Sequence, residues 1–230
     1  MTKHFPTNSF EILGQVDNSV MIGQYMDSTL KHMLSRDAII VKQDMELGNL
    51  ILGFDAANRY IIFDPSGEVL GNAAEEGSGV GGWLVRQFLQ SRRPCTLHIY
   101  NPQGQEIITG KKPFRFMFSE MSTIVDNQNI GVARRRFNIL KRKYSIDVGG
   151  SSGFQIESSI FQFGRHSFDV TKNGLVVAKI TKKFEGMLKM AFTQADTFSI
   201  TFHDKNLTLE ERNVLLLTLF LIDYDVFEQR

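Results

Sequence analysis

The chain has 230 residues, 42% of them hydrophobic and 11% aromatic, which is enough to bury one large core in a single domain spanning residues 1–230. A formal net charge of +1 excludes a surface built throughout for nucleic acid, so no specific nucleic-acid partner is predicted. The single cysteine, Cys95, excludes an intramolecular disulfide and a zinc site built from cysteines, which favours a reducing, cytoplasmic setting.

The first predicted elements are two hairpins that share one sequence pattern. After a lead-in over residues 1–37, the segment IFDPSG (62–67) recurs as IYNPQG (99–104). In each, an Asp or Asn can bond back to the backbone, a proline presets φ, and a glycine takes the position where φ is positive. The composition, with 19 Gly and 19 Phe beside five Pro, agrees with a mainly β chain of short strands and tight turns.

Between these hairpins lies a glycine-rich segment followed by a predicted short helix. GSGVGG (77–82) formally fits the dinucleotide-binding pattern G-x-G-x-x-G, but no buried strand precedes it and two glutamates would repel phosphate. A flexible linker is therefore favoured, and nucleotide binding is not expected. Leu84 and Phe88, four residues apart ahead of Pro94, indicate a helix packed on the surface as a plug or lid.

Two further hairpins and a half-buried strand follow. A turn is predicted over residues 126–129, and Asn173-Gly174 is a favoured two-residue turn between β-branched flanks. In the strand KYSIDV, Tyr144, Ile146 and Val148 alternate with polar residues, so one face is expected to be buried.

The end of the chain, residues 207–228, is predicted to be a central helix. Thr208 and Glu211 form a capping box ahead of the run VLLLTLFLI (214–222), which is apolar on every side. The run is shorter than the roughly 20 residues needed to cross a bilayer, so it is predicted to be enclosed by the preceding strands. The side chains expected to be buried are Val214, Leu215, Leu217, Leu219, Phe220 and Ile222.

Basic residues cluster in the middle of the chain. The cluster consists of Arg134, Arg135, Arg136, Lys141, Arg142 and Lys143, with Lys111, Lys112, Lys179, Lys182 and Lys183 as expected spatial neighbours. Cations near an anionic leaflet contribute about 1 kcal/mol each, so several on one face would hold the protein on an anionic phospholipid membrane. A solvated barrel rim explains the same residues equally well.

From Asn58 onward, several blocks in order identify the chain as similar to one family. They are NRYIIFDPSGEVLGNAAEE, RRPCTLHIYNPQGQEIITGKKPFRF, GLVVAKITKKFEGMLKMAFTQADTFSITF and FLIDYDVFE. The chain resembles the phospholipid scramblase family of the tubby-like, LURP-one-related superfamily. The resemblance implies a closed antiparallel barrel of about twelve strands around a hydrophobic C-terminal helix, in agreement with the burial argument.

The resemblance also implies a function. It implies membrane association at the inner face and calcium-responsive, bidirectional movement of phospholipids between leaflets without energy input, so no catalytic residue is assigned. The family's calcium-binding segment aligns with residues 194–205, where Asp196 keeps a carboxylate ligand. Gln194 and Lys205 replace acidic residues, so weak calcium binding or none is expected.

A second hypothesis is a barrel that binds a lipid or a protein and moves no phospholipid. It accounts better for the incomplete calcium segment. Since the chain has no cysteine string for an acyl anchor, either hypothesis leaves electrostatics or an inserted helix as the means of membrane attachment.

Overall fold

The chain folds into strands that pair in the order in which they occur. The computed structural model describes residues 28–43, 56–76, 93–159, 167–182 and 197–226. The strands within these ranges are β1 (Ala38–Gln43), β2 (Ala56–Phe63), β3 (Val69–Glu76), β4 (Cys95–Tyr100), β5 (Glu106–Lys112), β6 (Glu120–Val125), β7 (Gln128–Arg136), β8 (Lys141–Val148), β9 (Ser151–Ser159), β10 (Ser167–Lys172), β11 (Leu175–Lys182) and β12 (Thr197–Phe202).

The sheet closes on itself. Consecutive strands pair antiparallel, and β1 pairs with both β2 and β12, which removes the exposed edges of an open sheet. The predicted closed antiparallel barrel is therefore confirmed. The predicted glycine-rich loop (77–82) and the helix around Leu84 and Phe88 lie outside the described residues.

The two repeated hairpins turn as predicted. The Asp64 carboxylate accepts hydrogen bonds from the backbone N–H groups of Ser66 (2.8 Å) and Glu68 (3.0 Å). Asn101 does the same for the backbone N–H groups of Gln103 (3.0 Å) and Gln105 (2.9 Å). The glycine that ends each repeat has a positive φ, 90° in the first and 79° in the second.

The other predicted turns are also present. Asp126 and Asn127 both have positive φ, as do Asn173 and Gly174, which is the conformation of a two-residue hairpin turn. Inward and outward side chains alternate along β8, where Tyr144 and Ile146 are buried while Ser145 and its polar neighbours are half-buried on the outer face. The sequence-based prediction for this strand is confirmed.

The central helix spans Leu209–Val226 and fills the barrel. Its capping box forms as predicted, with the Glu211 carboxylate accepting from Thr208 N–H (2.9 Å) and the Thr208 hydroxyl accepting from Glu211 N–H (3.2 Å). The six side chains predicted to be buried are each at most 1% exposed. The helix packs against β6, β7, β8 and β12.

Two glycines let the helix approach the barrel wall closely. A Cβ on Gly131 would lie 2.5 Å from Val214 Cγ2, and a Cβ on Gly110 would lie 2.5 Å from Leu217 Cδ1. Ordinary carbon contacts are about 3.5–4.0 Å, so no larger residue fits at either place without displacing the helix or the wall.

A second helical segment, residues 28–34, lies at the barrel end where the central helix begins. Its Leu30, Met33 and Leu34 are buried in the core. Arg212 fixes it to the central helix by donating hydrogen bonds to the backbone carbonyls of Leu34 (3.0 Å) and Arg36 (3.1 Å). Part of the predicted lead-in therefore belongs to the core.

Candidate functional site

The basic cluster of β7 and β8 is divided by the strand alternation. Arg135 lies opposite Tyr144, whose side chain is buried, whereas Arg134 lies opposite Ser145 on the outer face. Successive residues of a strand point to opposite faces, so the run Arg134–Arg136 cannot form one continuous surface. On β8 the same rule separates Arg142 from its two lysine neighbours.

Three outward cations of this cluster lie beside carboxylates. Arg134 contacts Glu120 (3.4 Å) and also Asp147. Lys141 and Lys143 both contact Glu157, at 3.0 and 2.9 Å. Hydrogen bonds from the two lysines lower the pKa of Glu157, that from Lys143 contributing most. This part of the predicted patch is a network of compensated charges.

Other predicted neighbours are also paired or lie elsewhere. Lys179 contacts Asp169 at 3.4 Å on the outer face of β10 and β11. Lys182 lies opposite Phe198 and places its ammonium 5.5 Å from the centre of that ring. Lys183 lies outside the described residues.

The assignment of Lys112 to the surface patch is wrong. Its side chain is 2% exposed and donates a hydrogen bond of 2.7 Å to the backbone carbonyl of Arg93. Lys112 shares its side of β5 with Ile108 and Gly110, both of which face the interior. The alternation of inward and outward residues along β5 was the sequence signal for the burial of Lys112. Lys111, the residue before it, points outward and is exposed.

Sequence reasoning also missed a buried polar cluster at the barrel end where the central helix finishes. Asp225 accepts hydrogen bonds from the Ser119 hydroxyl and the Tyr144 hydroxyl, the latter at 3.2 Å. Burial raises the pKa of Asp225, although the hydrogen bond from Ser119 and the charges of Arg135 and Lys112 act in the opposite direction. Burial, and then the charge of Asp225, raise the pKa of Tyr144 well above its ordinary value.

A buried ion pair completes this cluster. The two terminal guanidinium nitrogens of Arg93, Nη1 and Nη2, donate hydrogen bonds to the Glu75 carboxylate, and the two side chains are 6% and 1% exposed. Asn58 donates a further hydrogen bond of 2.7 Å to Glu75. The Arg93 guanidinium lies 5.6 Å from the centre of the Tyr224 ring, so it connects the barrel wall to the helix. Acidic residues here are matched by cations, which suits a structural role.

The segment aligned with the family's calcium site is partly a barrel strand. Residues 197–202 form β12 and pair with β1 on one side and β11 on the other, so their backbone is engaged in the sheet. Lys205 forms an ion pair with Asp37. Asp196, the calcium candidate, lies outside the described residues. Within the part of the chain that the structure describes, no three side chains of the metal-ligating types group together.

An open groove of about 500 Å³ lies on the outer surface near the barrel end where the central helix finishes. Its lining includes Thr96, Lys111 and Ser122, which form one row across β4, β5 and β6. Two hydroxyls beside an ammonium group can donate hydrogen bonds to a phosphate, while Glu76 at the groove's edge opposes an anion.

None of the helices in the described ranges has the length and apolar character required to cross a bilayer.

Comparison with known proteins assigns the chain to a family. The model of the Scramblase family matches residues 16–229. "Altered inheritance rate of mitochondria protein 25" of Saccharomyces cerevisiae is 26% identical, and the match covers 86% of this chain and 72% of that protein. Phospholipid scramblase 2 of Homo sapiens is 28% identical, and the match covers 87% of this chain and 70% of that protein. An X-ray structure of an Arabidopsis thaliana protein is similar with a TM-score of 0.44 and 14% identity, covering 82% of this chain and 91% of that one. Because the family model matches almost the whole sequence, the chain belongs to the phospholipid scramblase family.

Proposed function

We propose that the protein associates with the inner face of a membrane and allows phospholipids to move between leaflets in both directions without energy input. The observation that carries this proposal is the match of the Scramblase family model to residues 16–229. The curated relatives include proteins named phospholipid scramblase, and the activity comes to this chain only by that kinship. Outward-facing Lys111 and Arg136 supply charges for anionic headgroups.

Calcium responsiveness enters the proposal in a weak form. Gln194 and Lys205 stand where the aligned segment of the family has acidic residues, and calcium prefers six to eight oxygen ligands. We therefore expect calcium to change the rate of lipid movement little.

The test is reconstitution of the full chain in vesicles that carry a fluorescent phospholipid in both leaflets. Dithionite added outside destroys the fluorescence of the outer leaflet only. If the protein scrambles lipid, fluorescence continues to fall below the level reached in protein-free vesicles, because labelled lipid from the inner leaflet reaches the outside. A signal that stops at the protein-free level, with and without calcium, refutes scrambling.

One structural observation favours a second candidate, a barrel that binds lipid or protein without moving phospholipid. Among the described residues the central helix packs inside the barrel, and at Gly110 and Gly131 it lies too close to the wall for a headgroup to pass between them. Lipid movement would then have to follow the outside of the barrel. Vesicle binding without loss of inner-leaflet fluorescence would support this second candidate.

A further inference from the structure

Exposed apolar side chains are concentrated in two loops at the barrel end where the central helix finishes. The loops are residues 113–118, between β5 and β6, and residues 137–140, between β7 and β8. They hold six of the nine large hydrophobic side chains exposed among the described residues, with exposures from 47% to 74%. The six are Phe114, Phe116, Met117, Phe137, Ile139 and Leu140. We call these two loops the apolar rim.

The two loops form one surface. Phe118 of the first and Phe137 of the second meet edge to face, with their ring centres 6.2 Å apart. The Asn138 side chain accepts hydrogen bonds from the backbone N–H groups of Leu140 (3.0 Å) and Lys141 (2.9 Å), which fixes the turn of the second loop. Ile139 and Leu140 therefore project from a defined turn, at 74% and 63% exposure.

Cations border the apolar rim. Lys111 is the second-last residue of β5 and Arg136 the last residue of β7, so both lie at the base of the two loops, and both are exposed. Neither forms an ion pair with any residue in the described ranges, and Arg136 donates a hydrogen bond of 2.6 Å to the Ser145 hydroxyl. Lys111 also belongs to the groove beside Thr96 and Ser122, which lies next to the first loop.

We propose that the apolar rim inserts into the headgroup region of an anionic bilayer, while Lys111 and Arg136 contact lipid phosphates. Apolar and aromatic side chains on projecting loops, bordered by cations, match the layered chemistry of a membrane interface, where hydrocarbon lies beneath negative charge. This inference rests on the membrane association in the proposed function. It specifies which surface of the protein contacts the membrane, and it orients the barrel end that contains Asp225 toward the lipid.

The membrane is favoured over a second copy of the chain by the charge of the border. A contact between two identical rims would bring Lys111 and Arg136 of each copy close to the same cations of the other, and like charges repel. A bilayer containing anionic lipid instead supplies the complementary charge.

The test compares binding of the full chain to sucrose-loaded vesicles of phosphatidylcholine with and without phosphatidylserine. The rim variant is Met117→Ser/Ile139→Ser/Leu140→Ser. The control is Leu175→Ser/Val176→Ser, which removes exposed apolar side chains at the opposite barrel end. We expect the vesicle partition coefficient of the rim variant to fall by about tenfold or more, because three apolar contacts are lost. The control should bind like the wild-type protein, and added salt should weaken wild-type binding.

A labelling experiment keeps the proposal testable if the rim variant fails to fold. An environment-sensitive dye is attached to Ile139→Cys in a Cys95→Ser background, and to Leu175→Cys in the same background as the control. Vesicles should shift the emission of the dye at position 139 to shorter wavelength and leave that at position 175 unchanged. Equal responses at both positions would overturn the proposal.

Each remaining outcome is also decisive. A folded rim variant that binds vesicles like the wild-type protein overturns the rim as the docking surface. A wild-type protein that ignores vesicles but forms a dimer, lost in the rim variant by light scattering, assigns the rim to contacts between copies and also overturns the proposal. Binding through the rim without movement of labelled lipid would keep this inference and reject scrambling.

Discussion

Replacing Gly131 by alanine tests directly whether the helix fills the barrel. The added Cβ would lie 2.5 Å from Val214 Cγ2, 3.1 Å from Val214 Cγ1 and 2.6 Å from the backbone carbonyl oxygen of Asp147. Valine has little rotamer freedom in a helix, and the carbonyl belongs to the wall, so neither neighbour can move away easily. Overpacking of this kind costs about 1–3 kcal/mol.

The expected result is a loss near the middle of that range. A loss of about 2 kcal/mol lowers the Tm of a chain of this size by about 4–8 °C. Gly153→Ala is the matched control, because Gly153 is also in a strand but a Cβ there meets nothing within 4 Å. The measurement is urea unfolding followed by circular dichroism, together with a thermal melt.

A double-mutant cycle shows where the strain arises. Val214→Ala removes both methyl groups that the new Cβ would contact, so Gly131→Ala should be less destabilising in that background than in the wild-type protein. Contacting pairs of this kind show interaction energies of about 0.5–3 kcal/mol. If Gly131→Ala is as stable as Gly153→Ala, the helix does not approach the wall at this point and the reasoning is refuted.

Three other changes probe the helix ends. Thr208→Ala should lower the free energy of unfolding by about 0.5–2 kcal/mol, because Glu211 N–H loses its hydroxyl acceptor, whereas Thr208→Ser should restore it in the same urea titration. Arg212→Met should speed amide hydrogen exchange in residues 28–34 first, since both carbonyl contacts are lost; uniform acceleration across the barrel would contradict this. Burial raises the pKa of Asp225, so its contribution to stability is full below the ordinary aspartate pKa and is lost as pH rises through the higher folded-state value. Urea titrations from pH 4 to 8 should therefore show Asp225→Asn gaining stability relative to wild type as pH rises, and a flat difference would refute the assignment.

The turns and the central helix were predictable because their determinants are local. Asp64 and Asn101 each close their own turn with hydrogen bonds from backbone N–H groups two and four residues later, so the signal lies within five consecutive residues. The run 214–222 is apolar on every side, and such a helix has to be enclosed by other elements. Both predictions depended only on residues that are close together in the sequence.

The distribution of charge could not be predicted in the same way. Glu75 and Arg93 are 18 residues apart and meet only because β3 and the segment before β4 lie side by side. The alternation of β5 indicates that Lys112 faces inward, but its hydrogen-bond partner is the backbone carbonyl of Arg93, which the sequence does not reveal. The run Arg134–Arg136 differs from these two cases, because the two-residue period of a strand by itself separates Arg135 from its neighbours.

The order of the elements has a consequence for how the protein is made. All twelve described strands precede the central helix in the chain, and the sheet closes only when β12 is available to pair with β1. During translation, inward side chains such as Tyr60 and Ile99 leave the ribosome long before the segment that will cover them. Until the central helix is made, the inward hydrophobic side chains of the strands are exposed. Transiently exposed hydrophobic surface and unpaired strands make a folding chain prone to aggregation. The helix is needed to complete the core, so a chain that ends before residue 209 should be insoluble.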